Sequence, residues 1–167
     1  MSKAKIAKTN AARLLDRLHL PYELRSVPVD ESDLSAVTVA ARLGVDPACV
    51  FKTLVARGDR GGILMACIPA AAELDLKALA AASGNKHVEM VHLKEVFLLT
   101  GYIRGGCSPL AAKKPYPVFL DASAEGQDAI FVSAGQRGVQ LRLAPEVLRQ
   151  AAQARLAPIC RMPSGNG

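Results

Sequence analysis

Val50-Phe51-Lys52-Thr53-Leu54-Val55-Ala56, then Arg57-Gly58-Asp59-Arg60-Gly61-Gly62, then Ile63-Leu64-Met65-Ala66-Cys67-Ile68 is the stretch whose reading decides the fold. Two apolar runs flank a glycine-rich connection, which is the composition of a β-hairpin. The Arg-Gly-Asp triplet inside the connection reads as turn chemistry. Lys52 is the anomaly. On strict alternation it shares a face with Leu54 and Ala56, while Phe51, Thr53 and Val55 line the other face. Two readings are open for it: a lysine snorkelling from a strand edge, or a partly buried ammonium that binds a carbonyl or phosphate oxygen.

Helices and further strands surround this hairpin. Thr9 to Leu18 is an amphipathic helix with Ala11, Leu14, Leu15 and Leu18 on one face, a cap at Thr9 or Asn10, and Pro21 beyond its end. Tyr22 to Val27 alternates as a strand does, and an acidic turn follows at Asp30 to Asp33. The spacing predicts helices over Ser35–Leu43, Asp75–Ala82 and Leu93–Thr100, closed by Gly44, Gly84 and Gly101 respectively. Strands are expected at Val118–Asp121, Ile130–Ser133, Val139–Leu143 and Leu156–Cys160, with a helix from Pro145 to about Ala154. Hairpins interrupted by helices, without a regular βαβ repeat, place the chain in the α+β class with a mixed, mostly antiparallel sheet. The 167 residues suit one domain, taken as 1–161, with 162–167 as a disordered tail.

Composition narrows the function classes. No apolar run approaches the roughly 20 residues that span a bilayer, and the basic N-terminus lacks the apolar stretch of a secretory signal, so a soluble cytoplasmic protein is expected. The cysteines at 49, 67, 107 and 160 have neither zinc-knuckle nor dithiol spacing, so neither a metal nor another cofactor is expected. The formal charge of +6 is concentrated at the two ends of the chain. That fits a polyanionic partner such as RNA, and it fits a solvated surface equally. Tryptophan is absent and aromatics are few, which disfavours a base-stacking platform.

The second informative stretch is Gly101-Tyr102-Ile103-Arg104-Gly105-Gly106-Cys107-Ser108-Pro109-Leu110-Ala111-Ala112-Lys113-Lys114, which contains no acid. It begins at a helix C-terminus and lacks the Walker spacing, so it is not a nucleotide P-loop. It reads as a turn between elements, or as a backbone cradle for an oxyanion. Cys107 is the one cysteine placed where a reactive thiol is plausible. The histidines, His19, His87 and His92, have no acid partner near in sequence. Ser108 and Ser133 lie in glycine-containing turns without the strand–elbow–helix setting of a hydrolase serine. No nucleophile–base pair emerges.

Three segments in order, Val39–Val45 running on to Phe51–Val55, Gly101–Lys114, and Phe131-Val132-Ser133-Ala134-Gly135-Gln136-Arg137-Gly138, resemble the YbaK/EbsC family, the freestanding relatives of the prolyl-tRNA synthetase editing domain. The likeness spans about residues 8–160. It implies a barrel-like mixed sheet with surrounding helices, and a trans-editing aminoacyl-tRNA deacylase most like the branch acting on Cys-tRNA(Pro). In that branch the substrate's own thiol attacks its ester, so the protein needs no nucleophile. By the resemblance, Lys52 binds the terminal ribose–phosphate or the ester, and the backbone at Gly105 and Gly106 stabilises the oxyanion. Phe51, Thr53, Gly101, Cys107, Ser108, Ser133, Gly135 and Arg137 would contact substrate, and Arg104, Lys113 and Lys114 would meet tRNA phosphates. Mischarged tRNA and prolyl-tRNA synthetase are the implied partners; no oligomeric state is implied. The chain departs from the branch at Val27, where a tyrosine is common, and at Gln140, where an acid is common. Two alternatives stand beside this reading: a non-catalytic module for a tRNA 3′ end or nucleotide, and a deacylase of the same fold for alanine.

Overall fold

The computed structural model describes residues 6–163. The predicted hairpin forms as β2 (Phe51–Gly58) and β3 (Gly62–Pro69), antiparallel with Phe51 opposite Pro69 and Gly58 opposite Gly62. It is the centre of a five-stranded sheet. β5 (Val88–Met90) pairs antiparallel on the β2 side, while β6 (Val118–Asp121) and then β9 (Arg155–Ala157) add in parallel beyond β3. A three-stranded antiparallel sheet has the order β1 (Glu23–Ser26), β8 (Val139–Leu143), β7 (Ile130–Gln136). A small pair joins β10 (Cys160–Arg161) to β4 (Glu73–Leu74). Antiparallel pairings predominate in a mixed architecture, as expected. An isolated parallel bridge between Val50 and Phe131 links the two larger sheets, and no continuous ladder closes them into a barrel.

The helices follow their caps. The Thr9 hydroxyl accepts from Ala12 N at 3.3 Å to start α1 (Asn10–Arg17). Ser35 caps α2 (Ala36–Leu43) and Asp75 caps α3 (Leu76–Ser83). Gly44, Gly84 and Gly101 end α2, α3 and α4 (Leu93–Thr100) in the left-handed conformation. Pro145 opens α5 (Pro145–Ala152).

Both faces of the five-stranded sheet are apolar because both are covered. Phe51, Val55, Met65, Cys67, Val118 and Leu120 pack toward β7, β8, α1 and α5 as the main core. Ala56, Leu64, Ala66, Ile68 and Phe119 pack the other way, against α3 and Ile159. The alternation read along β2 is therefore the alternation between two cores. α2 closes a third cluster, holding Ala40, Val50, Ala70 and Phe131.

Three expectations need revision. Leu18 caps the end of α1 and is 45% exposed, because the helix stops a residue earlier than the apolar stripe. The strand expected over Leu156–Cys160 is two strands. Pro158 cannot donate to a ladder and ends β9, after which β10 turns to a different partner. β4 and β5 are additional strands, too short to show a period in the sequence. The tail expected at 162–167 falls mostly on residues 164–167, outside the described residues.

Candidate active site

β5 pairs with β2 only at Ala56–Gly58, so the first half of β2 has an open edge. Val91 N donates to Val55 O at 3.2 Å and Asp59 N to His87 O at 3.1 Å, both on the β5 side, while Ala70 N donates to Val50 O on the β3 side. Neighbours along an antiparallel strand bond alternately to one side and the other. The backbone N–H and C=O of Thr53 therefore point to the open edge. Along this edge runs a cavity of about 460 Å³, lined by six consecutive residues, Val50 to Val55. Unbroken lining by residues of both faces is what an edge-on cavity requires.

The opposite wall comes from four places: Leu34 ahead of α2, Leu93 and Val96 on α4, Gly105 and Cys107 in the loop after α4, and Ser133 with Gln140 on β7 and β8. That loop is firmly held. The Tyr102 hydroxyl donates to Leu110 O, Lys113 N to Thr100 O at 2.8 Å, and Arg137 Nε to Arg104 O at 2.7 Å. The glycine pair has two separate reasons to be there. Gly105 has φ +82°, and Leu34 packs where a side chain would start. A Cβ on Gly106 would sit 3.2 Å from Arg137 N, so its absence lets the loop lie against the β7–β8 turn. Gly106 N–H is spent on Ile103 O at 2.9 Å, within the loop's own turn.

Lys52 is half-buried, and its Nζ donates to Ala70 O at 3.0 Å. Burial pulls its pKa below the ordinary lysine value, against the opposing pull of Glu73 and Cys160. One hydrogen bond leaves two ammonium donors for a ligand.

Residues 31–151 match the sequence pattern of the aminoacyl-tRNA editing domain. The chain belongs to that family. It is 48% identical over 152 residues to EbsC of Enterococcus faecalis, provisionally named a Cys-tRNA(Pro)/Cys-tRNA(Cys) deacylase, covering 91% of this chain and 93% of EbsC. It is 28% identical over 137 residues to YwhH of Bacillus subtilis, an uncharacterized protein, covering 80% and 87%. Its fold matches that of a solved protein provisionally described as a trans-editing enzyme for prolyl-tRNA synthetase. That match has a TM-score of 0.79 and 23% identity, and covers 93% of this chain and 99% of the other.

In this editing domain Phe51, Lys52, Thr53, Arg104, Gly105, Cys107 and Ser133 all line one cavity. Gly101, Gly106, Ser108, Gly135, Arg137, Lys113 and Lys114 do not. Gly101 ends α4. Ser108 is fully buried and its hydroxyl accepts from Leu110 N. Gly135 makes room for the Tyr102 ring, and Arg137 braces the loop. Lys113 and Lys114 are exposed on the loop's outer side. The sequence does not mark the segment at Ser32 to Ala36, or the residues Leu93 and Val96, as lining. They reach the cavity through long-range packing, which leaves no local pattern. Gln140, singled out in the sequence as a departure from the family branch, does line the cavity.

The thiol chemistry is decided by burial. Burial pushes Cys107 up to about 12, and does the same for fully buried Cys67. Cys160, outside the cavity, is also raised to about 12, by burial and by Asp121 beside it. A thiol so placed stays protonated at neutral pH and is a poor nucleophile. Among the described residues no three His, Cys, Asp or Glu side chains are grouped to hold a metal ion. The cavity offers an ammonium, backbone donors and small polar groups around an apolar floor. That suits orienting an ester and stabilising charge on its oxygen.

Proposed function

We propose that this editing domain hydrolyses mischarged aminoacyl-tRNA in trans, with Cys-tRNA(Pro) as its substrate and the cysteinyl thiol as the nucleophile. The observation that carries the reading is the cavity itself. It sets a half-buried ammonium, Lys52, beside a glycine loop, and its own thiol, Cys107, is held protonated. A deacylase built this way must take its nucleophile from the substrate or from water.

With a cysteinyl ester, the thiolate sulfur bonds to the ester carbonyl carbon. The bond from that carbon to the ribose oxygen then breaks, and the ribose hydroxyl leaves with a proton. Water opens the resulting thiolactone to free cysteine. The attack is intramolecular, and well-oriented reactions of this kind reach effective molarities of about 10⁵–10⁸ M. Lys52 and the N–H groups of Gly105 and Cys107 would stabilise the developing oxyanion; Ser133 and Phe51 would enclose the amino-acid part. The name of the 48% identical relative supports cysteine as the amino acid. A need for such editing follows from size. A pocket separates molecules as alike as cysteine and proline by only about 1–3 kcal/mol, so a synthetase for one admits the other. Prolyl-tRNA synthetase is the natural partner, as the source of the error.

Purified protein incubated with Cys-tRNA(Pro), Ala-tRNA(Pro) and Pro-tRNA(Pro) tests this directly. Loss of the cysteinyl ester alone is the expected result, with S-methylcysteinyl-tRNA(Pro) inert because its sulfur is blocked. Faster loss of the alanyl ester would reassign the substrate. Binding of all three without hydrolysis would make the protein a tRNA-end-binding module.

A further inference from the structure

Gln140 is a polar side chain in an unusual position. It is 6% exposed, stands opposite Ser133 in the β7–β8 ladder, and lines the cavity. Arg149 Nε is the one buried side-chain polar atom sealed without a partner among the described residues. The Gln140 amide has no protein hydrogen bond among the described residues, and its polar atoms are not sealed as that one is; the residue is one of those lining the cavity. A carboxamide is neither acid nor nucleophile at neutral pH. Left unpaired in a buried site it is unfavourable, and a ligand that completes its hydrogen bonds gains accordingly.

The surrounding groups define which atom that ligand supplies. Lys52 and Arg104 are donors. The Ser133 hydroxyl oxygen already accepts from Gly135 N at 3.1 Å, which leaves its proton to give. Asp33, the cavity's carboxylate, lies at the exposed rim, with its oxygens taken by Ser35 N and the Thr38 hydroxyl. Gln140 Oε1 is a buried side-chain acceptor lining the cavity, beside Lys52 and Arg104, which can only donate. An aminoacyl ester presents acceptors at its carbonyl and ribose, which those donors match. Its α-ammonium is a donor only.

We propose that Gln140 Oε1 accepts a hydrogen bond from the α-ammonium of the aminoacyl ester, so that the cavity selects esters of α-amino acids over simple acyl esters. The inference rests on the deacylase reading. It makes Gln140 a substrate-binding residue that recognises the feature shared by every aminoacyl-tRNA, while the rest of the cavity judges the side chain.

A cycle of two proteins and two substrates tests it: wild type and Gln140→Leu, each with cysteinyl-tRNA(Pro) and its 3-mercaptopropionyl counterpart, which keeps the thiol and lacks the amine. Wild type is expected to lose about 10- to 100-fold in kcat/KM without the amine, the range of a hydrogen bond to a charged group. Gln140→Leu should lose a similar factor on the cysteinyl ester and gain nothing from the amine. The cycle cancels the difference in intrinsic reactivity of the two esters, and a merely structural role for Gln140 would slow both equally. Equal discrimination by the two proteins overturns the proposal. Gln140→Glu retains an acceptor and should keep the discrimination; should the leucine variant fail to fold, loss of discrimination in the glutamate variant overturns it instead. Hydrolysis of neither ester by wild type would remove the deacylase reading. The same cycle is then run as binding of the amide-linked, non-hydrolysable analogues of the two esters. Coupling there still supports the ammonium contact, and equal or undetectable binding of both ends it.

Discussion

At the scale of single residues, the cavity is lined by a half-buried ammonium and by a thiol that burial keeps protonated. Lys52 has lost part of its hydration, which lowers its affinity for a proton relative to the unfolded chain despite the opposing pull of Glu73 and Cys160. Between its folded and unfolded pKa values the folded protein binds fewer protons, so stability contributed at this residue rises with pH through that window. Below the folded pKa the cost of keeping the ammonium half-buried is present in full. Lys52→Met should therefore be at least as stable as wild type at pH 7 in a thermal melt, and should lose that pH dependence. Its deacylation rate should fall by about 10²–10³-fold, the loss typical of a missing oxyanion donor. A destabilised variant, or one of undiminished rate, would refute the assignment. Cys107 gives the opposite expectation. With its thiol raised to about 12, it should resist alkylation by iodoacetamide at pH 7, and Cys107→Ala should keep most of the deacylation rate. A folded but inactive Cys107→Ala would restore covalent thiol catalysis.

At the scale of elements, what is legible in the sequence and what is not divides by range. Each helix carries its own signal: Ser35 with Gly44, Asp75 with Gly84, and Gly101 after the run from Leu93. The β2–β3 hairpin shows through its glycines, and the alternation around Lys52 by itself sorts the strand's residues between the two cores. The open edge of β2 has no such signal, because it exists only where β5 stops pairing. Leu34 against Gly105 is likewise a contact between distant segments. Asp121 shows how such contacts hold the fold. It ends β6, is 4% exposed, and accepts from Ser123 N at 3.1 Å and Ile159 N at 2.9 Å, so one carboxylate ties β6 to the chain just before β10. Burial raises its pKa, but the hydrogen bonds outweigh it and the net shift is downward. A depressed carboxylate contributes stability that is complete above the unfolded value near 4 and is lost as pH falls through the folded value. Asp121→Ala should cost about 1–3 kcal/mol at pH 7 by leaving the Ile159 N–H unpaired. It should also melt with a shallower acid dependence than wild type, as read by thermal unfolding from pH 6 to pH 3.

At the scale of the whole molecule, the charge has a direction relative to the cavity. The chain carries a formal +6, and the loop that walls the cavity holds Arg104 at the lining and Lys113 and Lys114 on its exposed side. Lys113 N is bonded to Thr100 O, so these cations stand on a fixed wall and not on a free tether. A nucleic acid whose end enters the cavity would run its backbone past them. Each phosphate neutralised by such a side chain releases counterions, and the logarithm of affinity falls by roughly 0.7–0.9 for each contact per decade of salt. Replacing both lysines, Lys113→Ala with Lys114→Ala, should therefore weaken binding of an aminoacyl-tRNA and reduce its salt slope by about 1–2. Hydrolysis of cysteinyl-adenosine, which has no stem to place there, should proceed at the wild-type rate. The pair of measurements separates two roles that a single assay on tRNA would merge. Loss of both activities would put the lysines inside the catalytic wall, and loss of neither would mean that the tRNA body approaches from another side.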